Sequence, residues 1–563
     1  MILTWLVLIY KILFIIFTVL CFLVLHIFYW WINLRKAKIF IINGIILTSS
    51  SLLIRGVSLI FSIYVANKVG QEAIGIFSLV MSVYSFAITF ATSGIGLACT
   101  CIVSDEFAKN NYEKGLKSVK VCIFHALILG IFASLALIFI APVVSGNWLK
   151  GSVSNMPIYS ISLGLPLISV SAVINGYLTS IEKSYKCAVA QCLELTVKIV
   201  ATFFLLNFSI SKGIDAICTS LIIGDVISEV FSFSLNLLFY FLEKRKFRFS
   251  RGAYEDLNKR IFKISFPVAI TSYLRSGLSS LKQFLIPARL QASGLNYSLA
   301  ISKYGLINGM VMPVIMFSSF FINSFSSLLI PEYARLLSGK NFNRMKTVCY
   351  KIFYVTFAFS FLVASIFLFF ANELSLMIYK NLEIASFLRV FSFLIVFMYI
   401  DNIIDGILKG IGKQFGSMTI NICDLVITIL IIFFVVPKFS ITGYVLSIFI
   451  SEIFNFFASF ILLKKSINFK FDFLSFCIKP FMASLFAFLV VRLFSISFDN
   501  FYISSIFNIA FFAIVYVLVV LLGTELKSII KDQKWSLMFF ESGPKSTIHY
   551  LLILLLFYFI ITL

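Results

Sequence analysis

The chain has 563 residues, of which 61% are hydrophobic, 17% aromatic and only 12% charged. A mean hydropathy of +1.04 means more apolar surface than a soluble core of this size can bury, which excludes a soluble globular protein. The net charge of +22 would suggest nucleic acid in a soluble chain; here the cations sit in loops between apolar runs, so a membrane orientation signal explains them and no nucleic-acid partner is expected.

The first apolar segment, 12–33, ends in the aromatic and basic cluster FYWWINLRKAK. It lacks the basic start and small-residue cleavage site of a signal peptide, so an extra N-terminal transmembrane helix entering from outside is expected over 1–37. Fourteen core spans follow, predicted over 39–67, 73–103, 118–143, 157–181, 187–208, 215–242, 260–287, 304–330, 348–371, 385–408, 414–437, 441–463, 474–496 and 503–523. A helix of about 20 apolar residues crosses ~30 Å of hydrocarbon, whereas a β-barrel would show ~10-residue alternating segments. The fold class is therefore all-α and polytopic. One alternating set of loops and ends carries 29 Lys and Arg, the opposite set 7. This unbroken bias puts the start of span 1 and the end of span 14 in the cytoplasm, in a multi-pass protein of the cytoplasmic membrane whose basic loops meet anionic membrane lipids. After 525 comes a cytoplasmic tail with a fifteen-residue apolar end, 549–563, about 22 Å as a helix and short for a crossing.

The chain repeats internally. NGYLTSIEKSYK, from Asn175, aligns with DGILKGIGKQFG, from Asp405, at a constant offset of 230, and 9 of 39 pairs up to Gly213 and Gly443 are identical. Glu194 meets Asp424, an acidic position kept inside a span. LLIRGVS in span 1 resembles YLRSGLS in span 7. Two six-span lobes, 38–245 and 246–470, are expected, with spans 13 and 14 over 471–525 and the tail over 526–563. Six spans per lobe give both the same orientation, the parallel-repeat arrangement that encloses a central cavity and opens it to either side in turn.

Several polar groups lie within the spans. Arg55 costs at least ~2.5–3.5 kcal/mol at mid-span if it faces lipid, so it is expected to face the bundle interior or water. Arg275 and Lys282, seven residues apart on span 7, share a helix face. Together the three suit a cavity that binds an anionic head group, and arginine's planar fork suits phosphate. The rival reading is internal pairing with Asp225, Glu229, Glu194 or Asp424. Glu194 and Lys198, four apart on span 5, are expected to pair with each other. Asp225 and Glu229 share a face of span 6; carboxylates so close favour uptake of a proton or a sodium ion, as an ion-coupling site requires. Asp401 and Asp405 on span 10 are weaker candidates. Span 8 has Gly305 and Gly309 at GxxxG spacing, for close packing, and then Pro313, for a hinge.

The ten cysteines are scattered, mostly in apolar runs, and His26, His125 and His549 are isolated. No metal site, cofactor or catalytic motif follows from them. The longest loops, about 15–20 residues, leave no room for an ATPase or catalytic domain, so the protein is not expected to be an enzyme.

The stretch after span 1, VGQEAIGIFSLVMSVYSFAITFATSGIGLA, and the span 7–8 stretch, SGLSSLKQFLIPARLQASGLNYSLAISKYGLINGMVMPVIMFSSFFINSFSSLLIPE, resemble the stage V sporulation protein B branch of the multidrug/oligosaccharidyl-lipid/polysaccharide flippase superfamily. The likeness covers about 38–525. It implies fourteen helices in two lobes plus helices 13 and 14. It also implies translocation of an undecaprenyl-pyrophosphate-linked saccharide, such as a peptidoglycan precursor, in cell-wall building or sporulation. Cavity arginines of the lipid II flippases in this superfamily match Arg55 by position and Arg275 more loosely. The alternatives are a multidrug cation antiporter of the same superfamily, which would favour carboxylates in the cavity, and a membrane scaffold that transports nothing.

Overall fold

A computed structural model describes residues 37–244, 257–469, 471–494 and 499–522, with side chains from Ile54 onward. The expected helix over 12–33 and the tail over 526–563 lie outside the described residues. Every regular element among the described residues is helical.

All fourteen predicted spans have a helical counterpart. Spans 1 and 2 form Ala37–Thr92, broken at Gly70, and continue into Ile95–Ala108. Gly70 sits at φ 85°, ψ 174°, a conformation that costs glycine little and other residues more. Spans 3 to 7 are Tyr112–Val143, Met156–Ser180, Ser184–Ser209, Ile214–Lys244 and Leu257–Ala292. Span 8 starts at Tyr297 and reaches Ser338 in pieces; spans 9 and 10 are Phe342–Phe369 and Glu383–Gly410. Spans 11 and 12 run through Gln414–Ile467, broken at Ser440, and spans 13 and 14 are Leu474–Leu493 and Phe501–Leu522. Eleven stretches are apolar and long enough to cross a bilayer, because the two longest, of 55 and 54 residues, each hold two crossings and span 7 fails the test. Its run RSGLSSLKQ is too polar for a helix that faces lipid on all sides. A short helix between spans 9 and 10, Ala371–Tyr379, was not among the predicted spans.

The 230-residue repeat extends well beyond the stretch in which sequence identity is visible. Helices end at Ala108 and Ser338, restart at Tyr112 and Phe342, end at Ser180 and Gly410, and restart at Ser184 and Gln414. Left-handed turn residues recur at the same offset: Asn110 and Lys340, Lys150 and Lys380, Glu182 and Gly412, with φ between 50° and 75°. Packing repeats too. Gly176 lies against Gly96, and Gly406 against Ser326. Spans 2–5 and 8–11 are therefore built to one plan, down to the backbone of their turns.

Span 8 carries the expected glycines and proline at an irregular place. A π-helical stretch, Leu306–Val311, separates Tyr297–Gly305 from Met312–Phe317. Pro313 removes a backbone donor just after it. The disturbed backbone finds side-chain partners: Tyr379 donates to the Met310 carbonyl at 2.9 Å and Tyr399 to the Ile315 carbonyl at 3.2 Å. Within a bilayer such groups have no water to turn to, so tertiary hydrogen bonds must satisfy them.

The two halves meet along span 2. Gly305 and Gly75 bring spans 8 and 2 into backbone contact; a side chain at Gly305 would stand 2.6 Å from the Gly75 amide nitrogen. Gly309 faces the side chain of Ile74. Small residues at this spacing let helix backbones approach where no hydrophobic force between helices exists. At the cytoplasmic end, Arg260 of span 7 pairs with Glu106 at 2.6 Å and with Asp105, both on span 2. Lys114 adds a contact to Glu106 at 3.5 Å.

Candidate functional site

The charged groups inside the spans fall into three places. Arg55 lies on the face of span 1 that looks at span 8. Its side chain is exposed, its guanidinium sits 4.5 Å from the centre of the Phe320 ring, and no described acid lies within ion-pair distance. One helical turn away, Leu59 and Ile63 of span 1 and Phe317 of span 8 line an apolar cavity of about 150 Å³. Ile366 of span 9 and Ile509 and Ala513 of span 14 complete its wall. The arginine thus stands over an aromatic ring, one turn from an apolar recess.

Span 7 presents opposite faces to its neighbours. Tyr273, Gly277 and Ser280, spaced four and three apart, pack on span 2. Arg275 and Lys282 are each two residues from this stripe and so lie on the far side. Arg275 is exposed, with no described acid in ion-pair distance. Lys282 is half-buried, and its charge acts on Asp424 of span 11 and Glu452 of span 12. Arg55 and Lys282 therefore have different surroundings, an aromatic ring and a pair of carboxylates.

The first half holds an acidic cluster. Lys198 of span 5 pairs with Asp225 of span 6 at 2.6 Å, rather than with Glu194 as the four-residue spacing suggested. Span 6 comes close enough to take the lysine, and Glu194 is left near the Ser232 hydroxyl. Glu229 accepts the hydroxyl of Tyr84 from span 2. Its second carboxyl oxygen is buried without a hydrogen-bond partner, against Gly164 of span 4, where any side chain would strike it. Three carboxylates thus share one ammonium, and burying such an excess of negative charge is costly unless a proton or another cation joins it.

The second half repeats the theme with other residues. Asp424, the counterpart of Glu194, accepts from Ser451 at 2.7 Å and from Thr428 at 3.4 Å. Asp401 lies near Ser459 with one carboxyl oxygen buried and unpartnered, and Glu452 lies near both aspartates. Among the described residues no three Asp, Glu, His or Cys side chains converge closely enough to hold a metal ion. Sequence reasoning passed over Tyr84 and Glu452. A lone acid in the apolar run SIFISEIFNFF was a visible signal for Glu452. Nothing local marks Tyr84, whose importance comes from a contact 145 residues away.

The family profile described as "Polysaccharide biosynthesis protein" matches residues 40–337, and the one described as "MatE" matches 297–434. Two curated proteins of Bacillus subtilis (strain 168) are similar. "Stage V sporulation protein B" is 20% identical over 417 residues, covering 73% of this chain and 80% of that protein. "Sporulation protein YkvU" is 18% identical over 356 residues, covering 62% and 78%. Among solved structures, the chain superposes on "Lipid II flippase MurJ, inward closed conformation" with a TM-score of 0.63 at 16% identity, covering 86% of this chain and 100% of that one. An inward-facing multidrug resistance MATE family transporter of the MOP superfamily gives a TM-score of 0.57 at 15% identity, over 74% and 94%. At such identities the two structures speak for the fold.

Proposed function

Since this chain belongs to the polysaccharide biosynthesis protein family, within the flippases and transporters of the multidrug/oligosaccharidyl-lipid/polysaccharide superfamily, we propose that it flips an undecaprenyl-pyrophosphate-linked saccharide across the cell membrane by alternating access. The observation that carries this reading is Arg55, a permanent cation between spans 1 and 8 with no described acid to neutralise it and an apolar recess one turn away. A lipid pyrophosphate has the complementary form, a diphosphate head on a long hydrocarbon chain. The guanidinium fork donates two hydrogen bonds to phosphate oxygens, a match that a lysine lacks. The hydrocarbon can stay in lipid, with room in the recess beside spans 1, 8, 9 and 14 for no more than about one isoprene unit, while the head enters between the halves. Arg275 and Lys282 on span 7 are the further head-group ligands in this reading. The acidic clusters take up the coupling proton, Glu194, Asp225 and Glu229 in the first half and Asp424 in the second. The bend at Gly305, Gly309 and Pro313 lets span 8 move. The lobes 38–245 and 246–470 rock about span 2.

The rival reading, a multidrug cation antiporter, draws on the carboxylates: six in the two clusters against Lys198 and Lys282. Depletion of the protein, and replacement by Arg55→Ala, separates the two. Mass analysis of lipid-linked intermediates is expected to find one saccharide-bearing species accumulating on the cytoplasmic side in both cases. An unchanged intermediate pool with altered efflux of cationic drugs would favour the antiporter. No change in either would leave a scaffold.

A further inference from the structure

Span 2 has two working faces. One is the seam with the other half. Gly75 lies against Gly305, the Ser280 hydroxyl donates to the Ser82 carbonyl at 2.8 Å, Phe86 lies beside Gly277, and the Tyr273 hydroxyl donates to the Phe90 carbonyl at 3.1 Å. Positions 75, 82, 86 and 90 recur at helical spacing, so they form a single stripe. Tyr84 is two residues from both Ser82 and Phe86, which turns it roughly 200° away from that stripe. It is 3% exposed and its hydroxyl donates to Glu229. One rigid helix therefore touches the first half's acidic cluster on one side and the partner half on the other.

We infer that Tyr84 is a positioning residue that ties the protonation of Glu229 to the seam between the two halves. The inference rests on the reading above that this cluster takes up the coupling proton. The groups facing Glu229 are Asp225 on its own helix, Glu194 and Lys198 on span 5, and Tyr84 on span 2. From span 4 the backbone of Gly164 abuts it. As a carboxylate, Glu229 accepts a charge-assisted hydrogen bond from Tyr84, about twice as strong as a neutral one. A proton arriving from water on the unpartnered oxygen cancels the charge, and Tyr84 then donates to a neutral carboxyl. The tether that holds span 2 against spans 4 and 6 weakens, and span 2 is free to shift with its seam stripe. Gain of a proton loosens the seam; its loss tightens it.

The test places a reporter on the seam in the full-length protein. Ser78→Cys puts a thiol on span 2 beside Gly309, and a membrane-impermeant maleimide reads its exposure from the outside, with the unsubstituted chain as the blank for native cysteines. Rates are taken relative to a solvent-exposed cysteine in the same buffer, because the reactive thiolate itself declines in acid; on that scale labelling is expected to rise roughly tenfold from alkaline to acid buffer, about what losing the charge assistance of one hydrogen bond gives. Adding Tyr84→Phe, which keeps the ring and removes the hydroxyl, is expected to leave labelling fast and flat with pH. Glu229→Gln should do the same. A Tyr84→Phe protein that keeps the parental pH profile overturns the role of Tyr84 while proton coupling stands. A parental profile flat with pH, unchanged by Glu229→Gln, overturns the coupling reading and this inference together. A purely structural defect in Tyr84→Phe would raise labelling at every pH and keep the pH dependence, so it counts against the inference too.

Discussion

Gly305→Ala probes the backbone contact between spans 2 and 8. The added methyl would press on backbone rather than on a yielding side chain: the Gln71 carbonyl, the Gly75 nitrogen at 2.6 Å and the Gly75 Cα at 2.8 Å. Carbon contacts are comfortable near 3.5–4.0 Å, so spans 2 and 8 must part by about 1 Å. Overpacking of this kind costs roughly 1–3 kcal/mol. Set against the thermal energy, that is a factor of about 5 to 160 in the balance between the closed seam and a parted one. The Ser78→Cys reporter should therefore label faster by a factor within that window, and the thermal midpoint should fall. Gly309→Ala should cost a comparable amount, because its methyl meets the γ2-methyl of buried Ile74, which sits on a β-branched carbon held to one rotamer in a helix. Gly146→Ala, with nothing within 4 Å, is the neutral control. Gly75→Ala strikes the same contact from the other side, so the double substitution should cost less than the sum of the singles. A Gly305→Ala protein that labels and melts like its parent would refute the argument that this backbone contact holds the halves together.

Two further perturbations test the charged clusters. Lys198→Met leaves Asp225, 6% exposed, without its partner at 2.6 Å; breaking one side of a buried pair costs about 3–5 kcal/mol. Lys198→Met with Asp225→Asn should regain most of that loss, measured as the thermal midpoint in detergent. Arg260→Gln takes from Glu106, 2% exposed, its contact at 2.6 Å and leaves Lys114 at 3.5 Å. A loss of about 1–3 kcal/mol is expected, together with faster labelling of thiols placed at the cytoplasmic ends of spans 2 and 7.

Composition and periodicity were enough to place the fourteen core helices and to detect a duplication, because the bilayer imposes its thickness on any helix that crosses it. Gly305, Gly309 and Pro313 were visible as a glycine spacing and a proline in one apolar run, but their partners Gly75 and Ile74 on span 2 were not. Nor was the pairing of charges. Spacing along span 5 suggested Glu194 for Lys198, yet a neighbouring helix offered Asp225 at 2.6 Å. Tyr84 and Glu229, the two faces of span 2, and the recess beside Arg55 arise only where helices distant in sequence are brought side by side. The sequence by itself determined which segments form helices long and apolar enough to cross a membrane, since that is a balance between each segment and its solvent. The tertiary structure alone decided which buried charge meets which, since a carboxylate takes the nearest available cation or donor, and nearness is set by packing.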